Sequence, residues 1–142
     1  VVVDTRAEIE PIARVLDDTA PTLVAVAEGA DTARLTDAGV DVLALPVGER
    51  GIAPAALLAG LHARGVRSVL LEGGARLAAS FVAADLVDEV VAHFAPALLG
   101  AGAPVLGDAG ITTMTEALRL TTTDVTRLGD DIAVTAAVRR EH

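Results

Sequence analysis

Cysteine, lysine, tryptophan and tyrosine are all absent from the 142 residues. Without Cys there can be no disulfide, thiolate zinc site, iron–sulfur cluster or cysteine nucleophile. Without Lys, the eleven basic residues are all Arg, so a lysine Schiff base and a phosphate-loop lysine are excluded. The formal net charge is −9, and no cluster of basic residues or aromatic stacking platform offsets it, which speaks against nucleic acid as a partner. No apolar run approaches the ~20 residues of a membrane span, and no basic-then-apolar leader is visible. A reducing cytoplasm fits this usage. His62, His93 and His142 have no metal-ligand spacing, so no metal is expected. Ser68 and Ser80 lack a histidine in a suitable motif for a serine hydrolase.

Hydrophobic residues make up 52% of the chain, enough for one folded domain over residues 1–142. Periodicity alternates between strand and helix. Strands are expected at Val1–Val3, Thr22–Ala27 and Asp41–Leu45, the last stopped by Pro46. Asp31 can cap a short helix closed by Gly39. Val47–Ala53 has the composition of a polar loop. Pro54 suits a first helical turn, Leu57, Leu58 and Leu61 give that helix an apolar face, and Gly65 ends it. Arg67–Leu71 has the composition of a fourth strand buried on both faces, followed by a helix over Gly74–Ala84. Strand–helix alternation of this kind predicts a parallel sheet covered by helices. Beyond it, Val87–Ala95 is a long strand, Leu98–Gly110 a Gly/Pro-rich loop, and Ala117–Arg127 with Ile132–Arg139 an antiparallel hairpin turning at Leu128-Gly129-Asp130-Asp131. The expected architecture is α/β with a mixed sheet.

The chemistry concentrates where "LLEGG" gives way to "ARLAAS". A parallel strand ends at the sheet edge where open α/β folds bind ligands. A helix that begins there turns unpaired N–H groups and the positive end of its dipole outward. Glycine lets a phosphate approach that backbone. Gly73-Gly74 followed by Ala75-Arg76-Leu77 is therefore a candidate diphosphate cradle, and Glu72 can accept hydrogen bonds from a substrate. A turn needing unusual dihedrals would also use Gly-Gly, and the GxGxxG pattern is not present.

The stretch "SVLLEGGARLAASFVAADLVDEVVAHFAPALLGAGAPVLGD" resembles the C-terminal reductase domain of the bifunctional riboflavin-biosynthesis deaminase/reductase. The resemblance is carried by the strand ending in Glu-Gly-Gly, by Leu86-Val87-Asp88-Glu89, and by Ala95-Pro96 leading to Leu98-Leu99-Gly100. Val1-Val2-Val3-Asp4-Thr5 at the front and "DVTRLGDDIAVTA" at the tail are similar to the same family. It implies a dihydrofolate-reductase-like fold and NADPH-dependent reduction of the phosphoribosyl group of 5-amino-6-(5-phosphoribosylamino)uracil to the ribityl form, by hydride transfer to C1′ of the ring-opened imine. It implies that Glu72 contacts substrate and that Gly73, Gly74, Ala75, Arg76, Leu77, Ala78, Ala79 and Ser80 contact the cofactor. It also implies that Thr5 lies near the cofactor's adenosine. Apart from the resemblance, neighbouring Arg6 could hold a 2′-phosphate and favour NADPH, since Arg pairs well with phosphate. No residue is singled out as the catalytic acid or base. Members of the family have a segment before this point, and Val1-Val2-Val3-Asp4 opens as if mid-strand, so the chain is expected to be incomplete at its front relative to the family.

Other patterns compete. Thr5-x-x-Glu8 matches a capping box. Asp88 and Glu89 point to opposite faces of a strand, which disfavours shared acid–base work. Asp130-Asp131 is turn chemistry. Pro96 either terminates a strand or shapes a crevice wall. A reductase of the same fold acting on a pteridine, or a non-catalytic nucleotide-binding or dimerising module, are the alternative functions. The apolar excess and the antiparallel tail lead to the expectation of a homodimer.

Overall fold

A computed structural model describes residues 1–140. The chain packs as two compact units, one over Val1–Val69 and one that begins at Leu70.

The first unit is built on a parallel ladder. β1 (Val2–Val3) pairs with β2 (Leu23–Ala27), and β2 with β3 (Asp41–Leu45), in the order β1-β2-β3. The central strand carries Val24, Ala25 and Val26, all fully buried, as a near-continuous apolar run in a parallel sheet requires. α1 (Ala33–Asp37) contributes Leu35, which joins Val24, Val26 and Ala7 in a core flanked by Val2, Ile9, Leu16 and Val42. The Asp31 carboxylate accepts the Ala33 N–H, and Gly39 closes the helix at φ +78°. β4 (Val47–Gly48) and β5 (Gly51–Ile52) form a short antiparallel hairpin, so the segment expected to be a loop is ordered by its own ladder. α2 (Pro54–Ala63) starts on proline, buries Leu57 and Leu61, and stops before Gly65 at φ +89°.

The second unit holds α3 (Ala75–Ala83) and an antiparallel ladder. β6 (Glu89–Phe94), β7 (Leu120–Leu128) and β8 (Asp131–Val138) run in the order β6-β8-β7. Leu128 pairs with Asp131, which leaves the two-residue turn Gly129-Asp130, with Gly129 at φ +66°. β8 is the central strand, and Ala133 and Ala136 are its buried residues.

One expected element does not form. Arg67–Leu71 joins no ladder among the described residues, and Val69 and Leu70 are 44% and 80% exposed rather than buried. Composition marks a segment that can serve as a strand. A strand exists only when a neighbour takes up its N–H and C=O groups, and none is in place here. The parallel and antiparallel strands accordingly stand in separate ladders. No helix among the described residues is long and apolar enough to cross a membrane.

Candidate functional site

Gly73 and Gly74 play different parts. A Cβ on Gly73 would stand 2.7 Å from Leu77 Cδ2, so packing inside the unit requires a bare backbone there. Gly74, the N-cap of α3, has φ −59° and ψ 170°, which any residue adopts, and nothing lies within 4 Å of where its Cβ would be. Neither packing nor dihedral geometry calls for glycine at 74. Gly74 is exposed and faces open space, so the backbone at this helix start is accessible, and a bare backbone there is compatible with a close-lying diphosphate.

No side chain caps this helix end, and no acid lies in its first turn. The Leu77 and Ala78 N–H groups donate to the Gly74 carbonyl at 3.0 and 3.2 Å. The amides of Ala75 and Arg76, ahead of them, have no acceptor among the described residues and remain available to an anion. Arg76 is exposed and has no ion-pair partner among the described residues. A cation in a first turn opposes the helix dipole, so its position is unfavourable for the helix alone and favourable for a bound anion. Glu72 is exposed immediately before the cradle.

Farther along α3 the side chains serve packing. Ala79, Ser80 and Phe81 are buried, and the Ser80 hydroxyl donates to the Leu77 carbonyl at 2.7 Å. Leu77 and Ala78 are half-buried. A residue that sequence reasoning did not single out, Gly107, donates its N–H to the Ala75 carbonyl at 3.0 Å. A Cβ there would meet that carbonyl oxygen at 3.0 Å, so the 104–108 loop reaches the first turn of α3 through a glycine. The glycines of this loop were visible in the sequence, but their partner was not.

Thr5 lies in the first unit, at the C-terminal edge of the parallel ladder. The Asp4 N–H donates to Ala25 O at 2.9 Å and the Ala27 N–H to Thr5 O at 3.0 Å, which carries β1–β2 pairing one step past the strand. The capping-box reading fails. No helix follows Thr5. Asp4, not Thr5, accepts a downstream amide, that of Ile9 at 2.7 Å, and Glu8 pairs with Arg6 at 2.9 Å. Ala7, buried, turns the chain at φ 55°. Thr5 is half-buried, and its hydroxyl has no hydrogen-bond partner among the described residues. Arg6 is held by Glu8 as an exposed pair, a weak bond that an incoming phosphate can displace.

Four of the other acids serve local structure. Asp88 pairs with Arg140 at 2.8 Å, and Asp130 sits in the β7–β8 turn. The Glu116 carboxyl is held below the usual carboxylate range by hydrogen bonds from the Thr112 backbone and side chain and from Thr113. Asp17 is lowered in the same direction by Thr19. Both shifts come from turns, and neither turn adjoins Glu72 or α3 in sequence. Leu98 and Leu99 are exposed. No group of three metal-ligating side chains occurs among the described residues.

Comparison with known proteins gives a consistent result. The family model described as the RibD C-terminal domain matches residues 1–134. The chain is 37% identical over 141 residues to the 2,5-diamino-6-ribosylamino-4(3H)-pyrimidinone 5′-phosphate reductase of Methanothermobacter thermautotrophicus, covering 98% of this chain and 65% of that protein. It is 37% identical over 142 residues to the riboflavin biosynthesis protein RibD of Bacillus amyloliquefaciens, covering 96% of this chain and 38% of that protein. Among solved structures, Acinetobacter baumannii RibD superposes with a TM-score of 0.76 at 29% identity, over 96% of this chain and 36% of that one. The chain thus spans 65% or less of the length of these relatives. The structural neighbours establish the dihydrofolate-reductase-like α/β fold.

Proposed function

The chain belongs to the RibD C-terminal domain family, and from that premise we propose that it is a reductase of riboflavin biosynthesis, reducing the ribosyl group of 5-amino-6-(5-phosphoribosylamino)uracil to the ribitylamino form with NADPH. The observation that carries the cofactor reading is Gly74: a glycine with ordinary dihedrals and open space beside it, at a helix start with no side-chain cap, followed by an arginine with no ion-pair partner among the described residues. When bound, the cofactor supplies the hydride. The protein's part is to hold and align. Amides of Ala75 and Arg76 and the Arg76 guanidinium bind the diphosphate. The assignment of Thr5, in the first unit, to the adenosine ribose is supported by the family resemblance of the Val1–Thr5 segment. Glu72 accepts hydrogen bonds from the substrate and sets its orientation.

A second substrate deserves equal testing. Two relatives, at 37% and 33% identity and each aligned over nearly all of this chain, are named for the 2,5-diamino-pyrimidinone rather than for the uracil. The two compounds present the same ribosyl phosphate and differ in the base. In this reading the enzyme is a homodimer and works in the cytoplasm, where its cofactor and substrate are soluble.

The test is loss of reduced-nicotinamide absorbance with each pyrimidine in turn, together with Glu72→Gln. Turnover with one pyrimidine supports the reading and chooses the substrate. Binding of NADPH without turnover on either points to the nucleotide-binding module. Unchanged turnover in Glu72→Gln removes Glu72 from the reading, and light scattering that returns a monomer removes the dimer.

A further inference from the structure

At the C-terminal edge of the β1-β2-β3 ladder, the hairpin that follows β3 returns to the end of β1. Gly51, the first residue of β5, has φ +108°, and a Cβ built on it would stand 3.3 Å from Thr5 Oγ1. The Thr5 main chain is pinned by the bond from the Ala27 N–H, and the Gly51 end of the hairpin by its pairing of Gly48 with Gly51. The freedom left at Thr5 is χ1. Thr is β-branched, so a jump between staggered wells exchanges hydroxyl for methyl or hydrogen rather than tilting the hydroxyl slightly.

We infer that Gly51 is a positioning residue for nucleotide selectivity: its bare backbone leaves the Thr5 hydroxyl free to meet the 2′ substituent of a bound ribose. The inference rests on the NADPH reading and deepens it, because it gives the β4–β5 hairpin a part in choosing between NADPH and NADH. Two independent observations carry it. Thr5 is half-buried and its hydroxyl has no hydrogen-bond partner among the described residues, and the position whose Cβ would stand against that hydroxyl is a glycine. A side chain at 51 would crowd Oγ1 at 3.3 Å, so the hydroxyl must give by a few tenths of an ångström or turn to another staggered well, and either change moves it from where it meets the ligand.

The experiment is a fluorescence titration of the full chain with NADPH and with NADH, for wild type, Thr5→Val, Thr5→Ser and Gly51→Ala. Thr5→Val and Gly51→Ala are expected to weaken NADPH by roughly tenfold, as loss of one hydrogen bond to a charged group does, with NADH changed far less. Thr5→Ser keeps the preference. A Gly51→Ala protein that weakens both nucleotides equally, or neither, overturns the inference and leaves the reductase reading intact. Wild type that binds neither nucleotide overturns both. Because φ +108° strains any alanine at 51, a second measurement uses the unmodified chain. In nuclear magnetic resonance titrations, the Thr5 methyl and Gly51 amide signals should move with 2′,5′-ADP and stay in place with 5′-AMP. Identical responses to the two would also overturn it.

Discussion

Gly73 lies under Leu77: a Cβ at 73 would come within 2.7 Å of Leu77 Cδ2 and 3.4 Å of its Cβ, while the next residue, Gly74, faces open space. Two adjacent glycines thus answer to different demands, and alanine at each should separate them. Gly73→Ala forces Leu77 to move and is expected to cost about 1 kcal/mol of stability, the low end of overpacking because a side-chain end can give way. Gly74→Ala should change stability by no more than about 0.5 kcal/mol, since alanine's lower chain entropy offsets its poorer capping. Its effect should fall on NADPH affinity, lowered at least several-fold. Thermal melts with and without NADPH read both quantities. Equal affinity in Gly74→Ala and wild type would show that the open volume is not a diphosphate cradle.

Arg76 makes a related prediction with an opposite sign for folding and binding. It stands in the first turn of α3, where a positive charge opposes the dipole. Arg76→Gln should therefore leave the ligand-free protein as stable as before, or more stable by a few tenths of a kcal/mol, the scale for a solvent-screened charge. The same change should weaken NADPH several-fold, and less so as salt rises. Calorimetric melting of the free protein and binding titrations at two ionic strengths check the pair. A destabilised free protein would mean that Arg76 serves the fold.

Much of the scaffold was legible because its signals are local. Gly39 and Gly65 mark the ends of α1 and α2 and take the positive φ that marks a glycine stop. The Gly129-Asp130 turn sits where hairpin chemistry puts it. The failures have a common cause, which is that their determinants lie outside the segment. Arg67–Leu71 has a strand's composition but no ladder partner among the described residues. β4 and β5 are two residues each, too short for any period to show. Thr5-x-x-Glu8 carries the letters of a capping box without the helix, because Ala7 turns the chain at φ 55°. At the site, the Glu-Gly-Gly segment was legible as a place. The division of labour between its glycines was not, since that depends on where Leu77 points.

Glu116 supplies a pH prediction. Its carboxylate accepts the Thr112 N–H, the Thr112 hydroxyl and the Thr113 N–H at 3.0, 3.0 and 3.1 Å, and its titration is lowered by these bonds, the Thr112 backbone bond most. A folded-state carboxyl lowered below its unfolded value contributes stability above the unfolded pKa and loses it as pH falls through the folded one. The 112–116 turn should therefore hold at neutral pH and loosen only on the acid side of the ordinary glutamate range. Side-chain carbon shifts of Glu116 followed against pH give the midpoint. Glu116→Gln should remove the acid transition of the Thr112 and Thr113 amides. A midpoint at or above the ordinary glutamate value would contradict the hydrogen-bonded turn.

The unpaired segment before the cradle makes a prediction about local stability. Val24, Ala25 and Val26 are fully buried in the middle of a parallel ladder, whereas Val69 and Leu70 are exposed and join none among the described residues. Amides in a central ladder exchange with solvent only when the unit opens, so their protection approaches global stability, while amides outside any ladder exchange at nearly the rate of free peptide. Native-state hydrogen exchange should then separate 24–26 from 69–71 by at least about three orders of magnitude in rate for a unit of ordinary stability. Raising protein concentration probes the same residues further. If Val69–Leu71 become protected as concentration rises, a second copy supplies the missing neighbour, which a dimer allows. If they are already as slow as Val24–Val26 in dilute solution, the segment pairs as a strand within the single chain, and no second copy is needed to supply its neighbour.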